Sequence, residues 1–285
     1  MGMAHKKLKT FLFLLGLGLI IFGLSSTGCS IRKIGLVRST FYPKSVAATA
    51  TPLGEDTAGA RFDHAPLDRL FKQFVEQGVV DYAGLATEQD KLDAYIKRLS
   101  STKIDTLGRH AQLAFWINAY NACTLKLMLE HPGVESIKDI PEAERWKAVR
   151  WIVAGEQRSL DEIEHDIIRP KYLDARIHFA LVCAAHSCPW LRSEAFTGDK
   201  LMAQLDDQAR DFFARPDNLQ WDAEKQRLDI SELMDWFRDD FAAKESDLID
   251  ALKEWFPAEV QQDIAKASKV RLGYLPYDWG LNGSW

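Results

Sequence analysis

The feature that most constrains this chain is a run without a polar face, "AQLAFWINAYNACTLKLMLEHPG", apolar nearly all round from Leu113 to Leu129. Coiled as a helix it makes roughly five turns, and no side of it can be left to water. The rest of the fold must wrap it, and Pro132 and Gly133 end it. Asn118 and Asn121 lie three apart on this helix and share a face, with Tyr120 beside them. A buried amide is costly without hydrogen bonds, so both imply designated partners. They either tie the helix to nearby loops, the commoner role of buried polar groups, or serve a catalytic group.

Amphipathic helices flank this centre. "PLDRLFKQFVEQG" places Leu67, Leu70, Phe71, Phe74 and Val75 at helical spacing, and "TEQDKLDAYIKRL" and "DKLMAQLDDQARDFFARP" behave alike. "AVRWIVAGEQRSLDEIEHDIIRP" reads as a strand, a turn at Gly155 and a helix opened by a Ser159/Glu162 capping box. Arg176 to Cys183 reads as a strand, "LQWDAEKQRLDI" as a hairpin, and Ser231 as the cap of "ELMDWF". Two further helices, roughly Ser246 to Trp255 and Pro257 to Lys266, precede a last strand and an aromatic tail. Strands so few and so unevenly spaced exclude a doubly wound sheet. The expected fold class is α+β, a helix-rich single domain with a small, mostly antiparallel sheet packed on a central buried helix.

The N-terminus has a different logic. Lys6, Lys7 and Lys9 precede fourteen apolar or Gly residues, Phe11 to Leu24, and the small run "SSTGC". These are the basic, apolar and cleavage regions of a signal peptide, and the apolar run is short of the roughly 20 residues a bilayer needs. "STGCS" resembles the lipobox of bacterial lipoproteins, with Ser26 where leucine is usual. That resemblance implies cleavage before Cys29 and its acylation. Ser30 follows the cysteine, which in a Gram-negative organism favours the periplasmic face of the outer membrane. The expected organisation is a lipoprotein signal peptide over 1–28, a lipidated end and flexible tether over 29–60, and a globular domain over 61–285.

Removing residues 1–28 takes away three lysines and no acids, leaving 33 basic against 41 acidic residues. An acidic body argues against a nucleic-acid partner. Membrane lipid, reached through acylated Cys29, and an unknown envelope ligand or protein remain as expected partners.

The chemistry concentrates in "RIHFALVCAAHSCPW", Arg176 to Trp190. With Cys29 acylated, Cys123, Cys183 and Cys188 remain, and an odd number leaves at least one thiol unpaired within the chain. Cys183 and Cys188 can bridge across a tight loop. Alternatively, Pro189 opens a helix and puts Cys188 at its N-cap, where the helix dipole favours a thiolate. His178 lies on the small-residue face of the expected strand. Upstream, Asp161 and His165 sit at i and i+4, a spacing that more often makes an ordinary surface pair, and Glu164 points about 100° away from them around the helix. No histidine follows His186, so any base for Cys188 comes from upstream.

Four stretches together, "FWINAYNA" (115–122), "SLDEIEHDIIR" (159–169), "RIHFALVCAAHSCPWLR" (176–192) and "YLPYDWGLN" (274–282), resemble the bacterial and plant family catalogued as domain of unknown function 547. The resemblance spans about Arg61 to the C-terminus, with Trp190 where family members often carry a second proline. It implies a domain without an assigned reaction, and a shared polar set of Asn118, Asn121, Glu164, His165, His178, Cys188, Asp278 and Asn282.

Three readings follow. A non-catalytic lipoprotein that binds a ligand or partner comes first, the polar set then serving the core. A thiol-dependent hydrolase or transferase of an envelope amide or ester comes second. In it Cys188 is the nucleophile, His178 or His165 the base, Glu164 or Asp161 the orienting acid, and Asn118 or Asn121 an oxyanion donor. A metal site of His165, His178 and Cys188 comes third; no cofactor is otherwise expected, and zinc suits that ligand set.

Overall fold

In a computed structural model of the chain the described residues are 52–285. The signal peptide, Cys29 and most of the tether lie outside them. Five longer helices, α1 (Ala65–Phe74), α2 (Gln89–Ser100), α3 (Arg109–Leu129), α4 (Leu201–Ala214) and α5 (Ala258–Lys266), carry the frame. All of α3 is buried except Arg109, Gln112 and Lys126, as an all-round apolar run requires. Helix α2 packs along α3 and α1 packs on α2, and their apolar stripes (Leu67, Leu70, Phe71; Leu92, Tyr95, Leu99) join the same core. Among the described residues no helix is long and apolar enough to cross a membrane.

The strands form three small sheets instead of one. β1 (Val75–Glu76) pairs antiparallel with β2 (Val79–Asp81), which runs parallel to β8 (Gly283–Ser284). β3 (Trp151–Val153) and β4 (Glu156–Arg158) form a hairpin. β5 (Leu219–Asp222) pairs antiparallel with β6 (Arg227–Ser231), which runs parallel to β7 (Arg271–Leu275). The last sheet packs with α4 over a second apolar cluster containing Phe179, Phe212, Phe213, Met234, Phe237 and Trp255. The architecture is the expected helix-rich α+β fold with its β-structure dispersed.

Two local differences bear on the site. The ordered body starts before residue 61: Leu53 is buried, the Asp56 carboxylate accepts from His110 N–H at 2.8 Å, and Thr57 Oγ1 accepts from Arg109 N–H at 2.9 Å. The first turn of α3 has orphan N–H groups and Gly108 offers no side chain to cap them, so this segment of the expected tether does so.

The second difference is that Arg176–Cys183 is no strand. Ala175–Phe179 forms a 3₁₀ turn capped by Asp174, and the chain then runs irregularly. Ala180 and Leu181 N–H donate back to Ile177 O, and the remaining bonds come from side chains: Asn121 donates to Ala180 O at 2.9 Å and accepts from Val182 N–H at 2.9 Å, and Gln208 donates to Phe179 O at 2.9 Å. Amide groups take the place of a neighbouring strand. Helix α3 thereby fixes the entry to the cysteine loop.

Candidate functional site

The segment from Cys183 to Cys188 is a tight loop whose turn needs Ala184 in the left-handed region, φ 63°. It is held on two sides. From the C-terminal tail, Gly280 O accepts from His186 N–H at 2.6 Å, Asp278 O from Ser187 N–H at 3.1 Å, and Asn282 N–H donates to Ala184 O at 3.1 Å. From the other side Arg215, at the end of α4, donates to Cys188 O and His186 O, each at 2.9 Å, while resting over the Trp190 ring. Trp190 in turn covers Gly78, whose φ of 79° and missing Cβ leave room for the indole. No helix begins at Pro189. The expected N-cap position is replaced by this pinned loop, whose carbonyls are held by an arginine.

The loop brings its two thiols together. Cys183 Sγ and Cys188 Sγ are 2.8 Å apart, and the Cys183 N–H donates to Cys188 Sγ at 2.9 Å. Tyr277, from the tail, reaches Cys183 Sγ at 3.3 Å. Both cysteines are free thiols. Burial alone raises a thiol's pKa; around Cys188 it is outweighed by hydrogen bonds from the Cys183 thiol, the Tyr277 hydroxyl and the N–H groups of Cys183 and Ala185. The Cys188 thiol therefore sits below its ordinary value. Cys183 is pushed well above, first by its hydrogen bond to Cys188 and then by burial. The two shifts run in opposite directions, so Cys188 is the sulfur of the pair that gives up its proton more readily. Cys188 is 3% exposed, whereas Cys183 and Tyr277 are half-buried and open the pair to solvent.

A second polar cluster lies on the α3 side. Residues Glu162–Ile168 wind as a π-helix after the expected Ser159/Glu162 capping box. This wider winding, with i→i+5 bonds, changes which side chains face inward. Glu164 bonds to Tyr120, and burial raises its carboxyl pKa against the pull of His178, Arg169 and Tyr120. His165 is buried and not a surface residue: its side chain is 7% exposed, Nε2 lies 3.9 Å from Asp161, and Nδ1 accepts from Arg169 at 3.1 Å. Burial and Arg169 hold its pKa down to about 4, so it is a neutral imidazole. His178 stacks on Phe237 at 3.8 Å and donates from Nε2 to Asp240 at 2.7 Å. Asp240 also receives the Arg169 fork at 2.7 and 2.8 Å. Burial works against the carboxylate, but the His178 and Arg169 bonds hold it far below the usual range.

The structure thus divides the expected site residues. Cys188 pairs with Cys183 and Tyr277, while His165, His178 and Glu164 join Arg169, Asp240 and Tyr120. Tyr120 lies between the groups, its hydroxyl bonded to Glu164 and within electrostatic reach of both cysteines. Asn118 donates to Phe196 O at 2.8 Å and accepts from Phe196 N–H at 3.0 Å, so both expected oxyanion donors bind backbone. Asn282 accepts from the Tyr82 hydroxyl at 2.8 Å, and Asp278 accepts from Gly280 N–H at 2.8 Å. Among the described residues no three His, Cys, Asp or Glu side chains are arranged to hold a metal. Asp240 and Tyr277 escaped the sequence reading: "RDDF" looks like solvated charge, and the tyrosine lies about ninety residues from its thiols.

A protein-family model described as "Protein of unknown function, DUF547" matches residues 104–213. That interval holds α3, the π-helix, the cysteine loop and α4. It stops short of Asp240, Tyr277 and the tail, so the match is narrower than the span of the four resembling stretches. No curated protein and no solved structure matches the chain.

Proposed function

We propose that this chain is a lipid-anchored cell-envelope protein, held through Cys29, whose folded part exchanges thiols and disulfides at Cys188 and Cys183. The observation that carries this reading is the polarised pair, two free sulfurs 2.8 Å apart with four donors gathered on Cys188. A thiolate is the nucleophile of exchange, and a neighbouring thiol resolves the mixed disulfide. Cys188 S⁻ attacks one sulfur of a partner disulfide, forming a mixed disulfide and expelling the other sulfur as thiolate. Cys183 then gives its proton to that thiolate and attacks Cys188 Sγ. The internal disulfide forms, the second partner thiolate leaves and takes a proton from water, and two electrons have passed to the partner.

This reading needs no imidazole base, since the donors already favour the thiolate. That suits His178 and His165 being engaged with Asp240 and Arg169. An envelope location suits it as well, since disulfides persist in oxidising compartments.

The test is alkylation of the reduced protein with iodoacetamide across pH, read by peptide mass, before and after incubation with oxidised glutathione. The expected result is labelling at Cys188 with an apparent pKa below about 8.5, abolished after oxidation by a Cys183–Cys188 disulfide. A Cys188 that stays unlabelled when reduced, or a pair that never oxidises, overturns it. For the anchor, Cys29→Ala is expected to move the protein from the membrane to the soluble fraction; a variant still sedimenting with membrane sinks that part.

A further inference from the structure

Beside the thiol pair lies a group of half-buried rings. Trp236 stacks on Trp279 at 5.7 Å, Tyr277 meets both at 4.7 Å, and Trp146 leans on Trp279 at 5.9 Å. Two cations rest on these rings: Lys138 Nζ is 3.8 Å from the Trp279 centroid, and the Arg145 guanidinium lies 5.3 Å from that of Trp146. Among the described residues neither has a carboxylate within ion-pair distance. Glu232, which acts on Lys138 from further off, accepts from Tyr277 N–H. Burial and the neighbouring Arg145 depress the Lys138 ammonium, with Cys183 and Glu232 opposing them. Two donors here are buried without a partner, Arg145 Nε and Trp146 Nε1.

Two like charges held side by side on aromatic faces, without a carboxylate and next to buried donors that have no partner, make a place where an anion gains more than it would at an ordinary surface cation. We propose that Lys138 and Arg145, set on Trp279 and Trp146, form a subsite for a carboxylate of the molecule that reacts at the thiol pair. Lys138 is close enough to Cys183 for their charges to interact, so a bound carboxylate places its bearer beside the sulfurs. The aromatic wall excludes water from one side and strengthens the charge attraction. The thiol reading identifies the site that this subsite feeds; the subsite itself is tested separately below.

The test compares two alkylating agents of nearly one shape and different charge, iodoacetate and iodoacetamide, on the reduced full-length protein in mild detergent. The iodoacetate-to-iodoacetamide rate ratio at Cys188 is expected to fall about tenfold in the Lys138→Gln/Arg145→Gln double variant. An unchanged ratio overturns the subsite. If Cys188 reacts with neither reagent, the thiol reading fails and the subsite is judged by tryptophan emission during titration with benzoate and its neutral analogue benzamide. Saturable benzoate binding that exceeds benzamide and is lost in the double variant upholds it; equal or absent binding overturns it.

Discussion

Cys123 and Cys188 are both buried, at 0% and 3% exposure, yet their thiols are driven in opposite directions. Cys123 lies in the middle of α3 with apolar neighbours; burial, with Glu130 adding to it, pushes its pKa far up. Cys188 loses water almost as completely but gains four donors, and its pKa falls. Burial therefore does not decide which cysteine can react. What decides is whether donors gather on the sulfur, here the Cys183 thiol and Tyr277 hydroxyl first and backbone N–H groups after them. A helix uses its N–H groups internally, whereas an irregular loop held by side chains can turn them onto a sulfur.

The broadest way to break this comparison is to alkylate both thiols. Cys188 is expected to label on the order of 10³-fold faster than Cys123, which exchanges only when α3 opens; comparable rates measured by peptide mass would refute the contrast. Cutting the link between the regions comes next. Asn121→Ala leaves Ala180 O and Val182 N–H without their partner and is expected to cost about 3 kcal/mol, read by urea unfolding, and to slow Cys188 labelling as the loop loosens. Removing one donor is subtler: Tyr277→Phe is expected to raise the Cys188 apparent pKa by about one unit, seen as an upward shift of the alkylation midpoint. Smallest is Cys123→Ala, which deletes one buried sulfur for about 1 kcal/mol and leaves the Cys188 pH profile where it was.

The same contrast explains what was legible in the sequence. Helix α3 could be read because its fold follows from its own pattern, as could the stripes of α1 and α2, strand β3 with its turn at Gly155, the β5–β6 hairpin and the Ser159/Glu162 cap, while strand β4 went unread. The cysteine loop could not. Its apolar residues imitate a strand, and what sets its path are Asn121, Gln208, Arg215 and the tail, groups up to about a hundred residues away. Proline at 189 suggested a helix start for the same reason: local propensity was the only visible term, and tertiary hydrogen bonds outweighed it. The closeness of Cys183 and Cys188 was foreseeable from spacing, although the two are free thiols 2.8 Å apart and no bridge joins them. Asp240, Lys138 and Arg145 were not foreseeable, since nothing in their surroundings along the chain marks them, and Tyr277 stood inside the marked stretch 274–282 without any sign that it reaches the thiols.

The tail that grips the loop also seats Trp285, which stacks on Tyr82 at 5.1 Å and donates to Val134 O at 2.9 Å. The loop and the tail are therefore one mechanical unit: the bonds of Gly280, Asp278 and Asn282 to the cysteine loop hold only while Trp285 keeps its seat. A change that unseats this indole, far from either sulfur along the chain, is expected to slacken the thiol pair, so the tail works as a latch on the loop.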